Sequence, residues 1–223
     1  FAKIQPGIQI EQADTIDAKE HLVSPPFCDA HLHLDAVLSV GKPRYNQSGT
    51  LLEGIQIWGE LKENLDKETI KKNAIEVIRW EAVNGSTFLR THADATDASG
   101  NAVEALLEVK EAVKDFADLQ IVAFPQDCIF TRKGNDRMLE EAVEKGCDVV
   151  GGLPYIELSP EDGLRDVKYV FDLAEKYDRL IDIHCDENTD DQSRYVEAIA
   201  RETIVRDMQG RVSASHTTAM HNY

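Results

Sequence analysis

Six short apolar runs, each ending in polar residues, recur along this chain. They begin at Phe27 (FCDAHLHLD), Thr87 (TFLRTHAD), Leu119 (LQIVAFPQD), Asp148 (DVVGGLP), Leu180 (LIDIHCDE) and Arg211 (RVSASHTT). From the second run onward the interval stays at about 31 residues, the length of a strand, a helix and their connections. The segments between them have helical periodicity: Ile70, Ala74, Val77 and Ile78 before Asn84-Gly85, and Val103, Leu106, Leu107 and Val113 after Ser99. Gly85, Gly146 and Gly210 lie shortly ahead of a run and mark helix ends. Strands apolar on both faces that alternate with helices predict a parallel α/β architecture.

Two α/β forms compete. No G-x-G-x-x-G or G-x-x-x-x-G-K-[ST] follows any run, which argues against a nucleotide-binding open sheet. The residues able to do chemistry gather instead at the C-terminal ends of several runs: His31 and His33, His92 and Asp94, Gln126, His184 and Glu187, and His216. A (β/α)8 TIM-type barrel builds its site in this way. Only six strand–helix units fit into 223 residues, whereas eight units and about 250 residues are typical. An incomplete barrel over 27–223 is therefore expected, with unpaired edges on its first and sixth strands. Either further polypeptide or a partner would close that gap, a homo-oligomer being one way.

Residues 1–26 stand outside the repeat and read as the remnant of a small β domain, with two short strands between Ile8 and Val23 leading into Pro25-Pro26. Residues 36–64 form a long excursion after the first strand. On a barrel such a loop hangs over the site or serves as a packing insertion.

Charge narrows the partners. With 41 Asp+Glu against 24 Lys+Arg and a net charge of −17, an electrostatic nucleic-acid binder is excluded. The acidic side chains spread along helical segments such as Glu140 to Glu144 as a solvating face. No stretch approaches the ~18 apolar residues of a membrane span, and the start carries no signal-peptide pattern, so the chain reads as a soluble cytoplasmic protein. Cys28, Cys128, Cys147 and Cys185 show no C-x-x-C spacing, and three of them, in or beside apolar runs, read as buried thiols.

The site begins with His31-Leu32-His33-Leu34-Asp35. On a strand, i and i+2 share a face, so both imidazoles can reach one metal ion while Leu32 and Leu34 pack oppositely. One such pair is a weak signal. His184-Cys185-Asp186-Glu187 strengthens it, delivering an imidazole at a strand end and a carboxylate just beyond, and Ser215-His216-Thr217 adds a third imidazole-bearing end. Neither H-E-x-x-H nor the H-x-E with P-C-x-x-C of zinc nucleoside-type deaminases is present. His21 and His221 read as surface residues. His92 fits either a ligand or a hydrogen-bonding neighbour. Gln126, a neutral donor and acceptor, fits either a core amide or recognition of a heterocyclic amide edge.

Taken together, the stretches Pro25 to Asp35 (PPFCDAHLHLD), Asn46 to Leu51 (NQSGTL), Arg90 to His92 (RTH), Gln120 to Gln126 (QIVAFPQ), Asp182 to Glu187 (DIHCDE) and Ala214 to His221 (ASHTTAMH) resemble the bacterial cytosine deaminases of the amidohydrolase superfamily. The likeness runs from about Thr15 to the last residue. It implies one divalent metal ion, Fe, Zn or Mn, on His31, His33 and His184. Glu187 would shuttle protons to the ring, Gln126 and Leu51 would contact it, and His216 would orient or deprotonate the water. The substrate implied is a nucleobase in pyrimidine salvage, cytosine or a close relative, hydrolysed to the keto base and ammonia. Two-metal relatives carry a carboxylated lysine on the fourth strand; Asp148 to Pro154 contains none, which favours one metal. Family members also carry an aspartate after an eighth strand, which six units do not reach. A related amidohydrolase acting on another heterocyclic amine, or a catalytically incomplete metal-binding module, stays open beside this reading.

Overall fold

Each of the six apolar runs becomes a strand, and the segments between them become helices. The computed structural model describes residues 3–9 and 14–223. In chain order the elements are β1 (Phe27–Leu32), α1 (Leu51–Lys62), α2 (Lys67–Val83), β2 (Ser86–Asp94), α3 (Asn101–Val113), β3 (Asp118–Phe124), α4 (Asn135–Lys145), β4 (Val149–Gly152), α5 (Pro160–Tyr177), β5 (Leu180–Cys185), α6 (Tyr195–Val205) and β6 (Val212–His216). Short 3₁₀ turns follow β4 (Pro154–Ile156) and β6 (Thr218–Asn222). Helix starts are capped by side chains: Thr50, Asp66 and Ser159 accept from the backbone N–H of Glu53, Thr69 and Asp162. Gly85 and Gly146 adopt φ of 96° and 121°, conformations that L side chains resist and that turn the chain from helix into strand.

The strands pair in the order β1-β2-β3-β4-β5-β6, every pair parallel. In a flat sheet, strands spaced at about 4.8 Å would put the first and sixth about 24 Å apart. The rings of His31 beside the end of β1 and His216 of β6 instead have centroids 4.7 Å apart. The sheet is therefore curled into a half-barrel of the TIM type, and β1 and β6 each pair on one side only among the described residues.

Alternation decides which side chains enter the barrel. On β2, Leu89, Thr91 and Ala93 face the helices, while Arg90 and His92 face inward. On β5, Ile181, Ile183 and Cys185 pack outward, opposite Asp182 and His184. The outer layer buries Ile70, Ala74 and Ile78 of α2, Val103, Leu106 and Val109 of α3, and Val167, Val170 and Phe171 of α5. Full burial of one such aliphatic side chain is worth roughly 1.5–3 kcal/mol, so the helical layer holds the curled sheet in shape.

One expectation needs correction. No strand forms before Phe27 among the described residues; positions 10–13, which include part of the expected pair, lie outside them. Ile16 and Leu22 are each 94% exposed, and residues 14–26 stay as turns and coil. The 36–64 excursion carries α1, fastened by Arg44 to Glu53 and Glu60 at 2.6 and 3.0 Å. Cys28 is exposed, whereas Cys128, Cys147 and Cys185 are buried, because β1 lies at the sheet edge.

Candidate metal and substrate site

The C-terminal ends of the strands converge on a cavity of about 370 Å³. His31 and His33, two residues apart, project into it together, and β5 brings His184 opposite them. One ring nitrogen from each of the three lies within 4.8 Å of the others, and Nε2 of His33 and Nε2 of His184 are 3.2 Å apart. Two nitrogens on one tetrahedral zinc, each at about 2.05 Å, stand about 3.3 Å apart. Burial first, and the charge of neighbouring rings second, pushes the His31 imidazole down to about 4 and those of His33 and His184 well below the usual range. The neutral form, the one that binds metal, is thus the resting form. Nδ1 of His184 and Nε2 of His92 are buried without a hydrogen-bonding partner among the described residues. Three neutral imidazoles at this spacing could hold a divalent ion, and such a donor set does not by itself choose the metal.

Gln126, Glu187, His216 and Leu51 all line the same cavity. Gln126 follows Phe124-Pro125 at the end of β3, and Leu51 opens α1. Glu187 follows Asp186, which is fully buried with φ of 50°. Asp186 accepts hydrogen bonds from Ser193 Oγ and the backbone N–H groups of Tyr195 and Val196, at 2.8 to 3.0 Å, so the turn bearing Glu187 is tied to the start of α6. His216 reaches the site by leaving the strand alternation: Ser213 and Ser215 already face inward, and its φ of 68° swings the ring to the cavity. Its Nδ1 lies 3.6 Å from Glu187 Oε1.

His92 and Asp94 do not line the cavity. His92 is fully buried beneath it, stacked on His33 at 4.8 Å between ring centroids, with Nδ1 donating to the Leu32 carbonyl at 3.1 Å. Its Nε2 lies 3.9 Å from Asp182 Oδ1. Asp182 accepts from Arg90 Nη1 and Ser215 Oγ, each at 2.7 Å. Burial opposes its charge, but the contacts of His92, Ser215 and Arg90 outweigh burial and hold the carboxyl at about 2. Asp94 turns toward α1 instead, accepting from Trp58 Nε1 at 3.0 Å and Lys62 Nζ at 2.8 Å. Asp35, buried beside it, accepts from the Asp94 backbone N–H at 2.8 Å, and desolvation raises its carboxyl to about 7.

Several residues that shape the cavity carry no motif. Ile55 and Trp58 of α1 form an apolar wall with Leu51, on the i, i+4, i+7 spacing of one helical face. Tyr155, on the 3₁₀ turn after β4, donates its hydroxyl to Glu187 Oε2 at 3.1 Å. The i, i+4, i+7 spacing of the wall is masked in sequence by Gly54 and Gly59, and Tyr155 is marked only by its position just beyond a strand end.

Fold and site together define a (β/α)-barrel protein with an imidazole-rich, metal-competent centre at the C-terminal ends of its strands. The chain belongs to the amidohydrolase family, whose sequence profile matches residues 14–223. It is 34% identical over 224 residues to the N-isopropylammelide isopropyl amidohydrolase of Pseudomonas sp. (strain ADP), covering 96% of this chain and 54% of that one. Its structure is similar to that of 5-methylcytosine deaminase from Klebsiella pneumoniae liganded with 5-fluorocytosine, with 44% identity, a TM-score of 0.92, and coverage of 98% of this chain and 53% of that one. The N-isopropylammelide isopropylaminohydrolase of Burkholderia multivorans is similar at 27% identity and a TM-score of 0.73, covering 89% of this chain and 50% of that one. The chain spans about half the length of the curated relatives it matches. No helix among the described residues is long and apolar enough to cross a membrane.

Proposed function

We propose that this protein hydrolyses the exocyclic amine of cytosine or a 5-substituted cytosine, giving the keto base and ammonia. The observation that carries the reading is the meeting, in one cavity, of Gln126, Glu187 and the three imidazoles of His31, His33 and His184. The likeness to 5-methylcytosine deaminase supports the substrate class.

A divalent Fe, Zn or Mn ion on the three imidazoles would supply the nucleophile, since such an ion can lower the pKa of water from 15.7 toward ~7. Gln126 offers a carbonyl and an NH2 group to the amide-like edge of the ring, fixing which face and which carbon are presented. Glu187 donates a proton to the ring nitrogen, which makes the adjacent carbon electrophilic. His216, beside Glu187, accepts the proton that water gives up. As the carbon–oxygen bond forms and the carbon–nitrogen bond breaks, one proton of water ends on the departing ammonia and the other returns to Glu187 in place of the one left on the ring nitrogen. Proton transfer of this kind is worth ~10²–10⁴-fold. Leu51, Ile55 and Trp58 pack on the ring and exclude water, and their apolar surface favours a base with an apolar substituent. The same reading makes this a cytoplasmic enzyme of pyrimidine salvage, supported by its four free cysteines.

Metal-loaded full-length protein mixed with cytosine or 5-methylcytosine should release ammonia stoichiometrically with the keto base. Turnover of N-isopropylammelide with neither cytosine accepted would keep the family chemistry and replace the substrate, as the relationship to the Pseudomonas enzyme would then require. No ammonia or amine from any of the three would overturn the reading.

A further inference from the structure

Glu187 is held from a second side by a residue that no motif marks. Tyr155 Oη donates to Glu187 Oε2 at 3.1 Å, while Oε1 of the same carboxylate faces His216 Nδ1 at 3.6 Å. The two oxygens therefore have different surroundings. We propose that Tyr155 is a positioning residue of the deamination, its hydroxyl occupying Oε2 so that Oε1 is the atom that exchanges the proton with the ring. The inference rests on the role of Glu187 proposed above.

Both ends of this hydrogen bond are anchored. Tyr155 sits on a turn whose Pro154 is buried, and Glu157 of the same turn accepts from the backbone N–H groups of Ile129 and Phe130 at 2.7 and 2.9 Å and from Thr131 Oγ1 at 2.9 Å. Cys128 Sγ adds a contact to the Ile156 carbonyl at 3.5 Å. At the other end, buried Asp186 ties the Glu187 turn to α6. A contact between two such turns keeps its geometry through a turnover, unlike one between two mobile surface chains.

The direction of the bond is also settled. Burial first, and the Glu187 charge next, pushes the phenol well above its ordinary value, so Tyr155 keeps its proton and can only donate to the carboxylate. A donor fixed on Oε2 stops the carboxyl from rotating and from taking its proton on the side away from the ring. The phenol neither loses nor gains a proton in the cycle, and the proton balance of the reaction is unchanged.

The test compares Y155F, E187Q and the double variant in metal-loaded full-length protein, reading kcat, KM for cytosine or 5-methylcytosine, metal content and thermal unfolding. Hydrogen bonds to charged groups are stronger than neutral ones, so Y155F should lose about tenfold or more in kcat while KM stays within about threefold. Metal content should remain at wild type. Because Tyr155 acts only through Glu187, adding Y155F to E187Q should change kcat by less than about twofold. Y155M, which fills much of the ring's volume without a donor, should lose a similar amount and decides the matter if Y155F is unstable. A Y155F or Y155M protein with near-normal kcat, in the face of an inactive E187Q, would overturn the role of Tyr155 alone. So would full additivity in the double variant. A near-normal E187Q would instead overturn the reading of Glu187 on which it rests.

Discussion

The Nε2 atoms of His33 and His184 stand 3.2 Å apart although 151 residues separate them in the chain. At that distance two imidazoles with lowered basicity either share one proton or share one cation, and the third imidazole, His31, favours the cation. Protein purified without chelator should therefore carry about one metal ion per chain by elemental analysis. In the H33A/H184A variant, metal content should fall to background, because only one of the three imidazoles then remains. Metal retained at full occupancy in that variant would place the centre elsewhere.

Glu187 and His216 face each other at the cavity wall without belonging to the three-imidazole set. E187Q keeps the side-chain volume and removes the exchangeable carboxyl proton. Turnover should drop by ~10²-fold or more, with metal content and thermal unfolding close to wild type. A variant that instead loses its metal would assign Glu187 a structural part in the centre.

How much of this could be read from residues alone follows from what carried each signal. The strand ends were legible because the interval of about 31 residues repeats and each apolar run stops at a polar residue; His31, His33, His184, Glu187 and Gln126 inherit their places from that pattern. Helix α1 was hidden in the 36–64 excursion because Gly54 and Gly59 interrupt it, and glycine in a helix interior costs about 1 kcal/mol relative to alanine. Packing of Ile55 and Trp58 over the site offsets that weakness, and packing is a tertiary fact. Tyr155 was invisible for a related reason: its role comes from the neighbouring turn after β5, which no local spacing reports. The same holds for Asp94, which sits at a strand end like the three imidazoles yet turns toward Lys62, 32 residues away in sequence. His216 illustrates the opposite case, in which strand alternation alone would have pointed a side chain that lines the cavity away from it.

Lys62 is the fastening of α1 over the cavity. Its ammonium is 2.8 Å from Asp94 Oδ2 and 3.0 Å from Asp127 Oδ2, with the lysine side chain 10% exposed and Asp94 2% exposed. The charge of Asp94, and with it that of Asp127, holds the lysine above its ordinary value against burial. K62M should destabilise the fold by about 3 kcal/mol in urea unfolding, since it leaves the buried Asp94 carboxylate without its cation, whereas Asp127 keeps Arg132 at 3.1 Å. It should also raise KM by about tenfold through displacement of Trp58, while E187Q leaves KM near wild type. The double variant K62M/D94N should be less destabilised than the sum of its single variants. Strict additivity would show that the pair is not coupled.

Asp182 gives the fold a specific response to acid. Its carboxyl is held at about 2 against an ordinary value of 3.8, and its side chain is 2% exposed, so solvent screens its contacts with Arg90 and Ser215 little. Because the folded state prefers the ionised form, this group adds stability at every pH above about 4. That stability is lost as pH falls from about 4 to about 2, where the carboxyl protonates in both states. The difference of nearly two units corresponds to about 2 kcal/mol. Urea unfolding of metal-free wild type and D182N, followed from pH 6 downward, isolates the contribution from those of other carboxylates. The gap between the two proteins should stay constant above about pH 5 and narrow steadily toward pH 2. A gap that does not change across that interval would mean that the folded protein does not hold the Asp182 carboxyl below its ordinary value, and that Arg90 and Ser215 do not favour its ionised form.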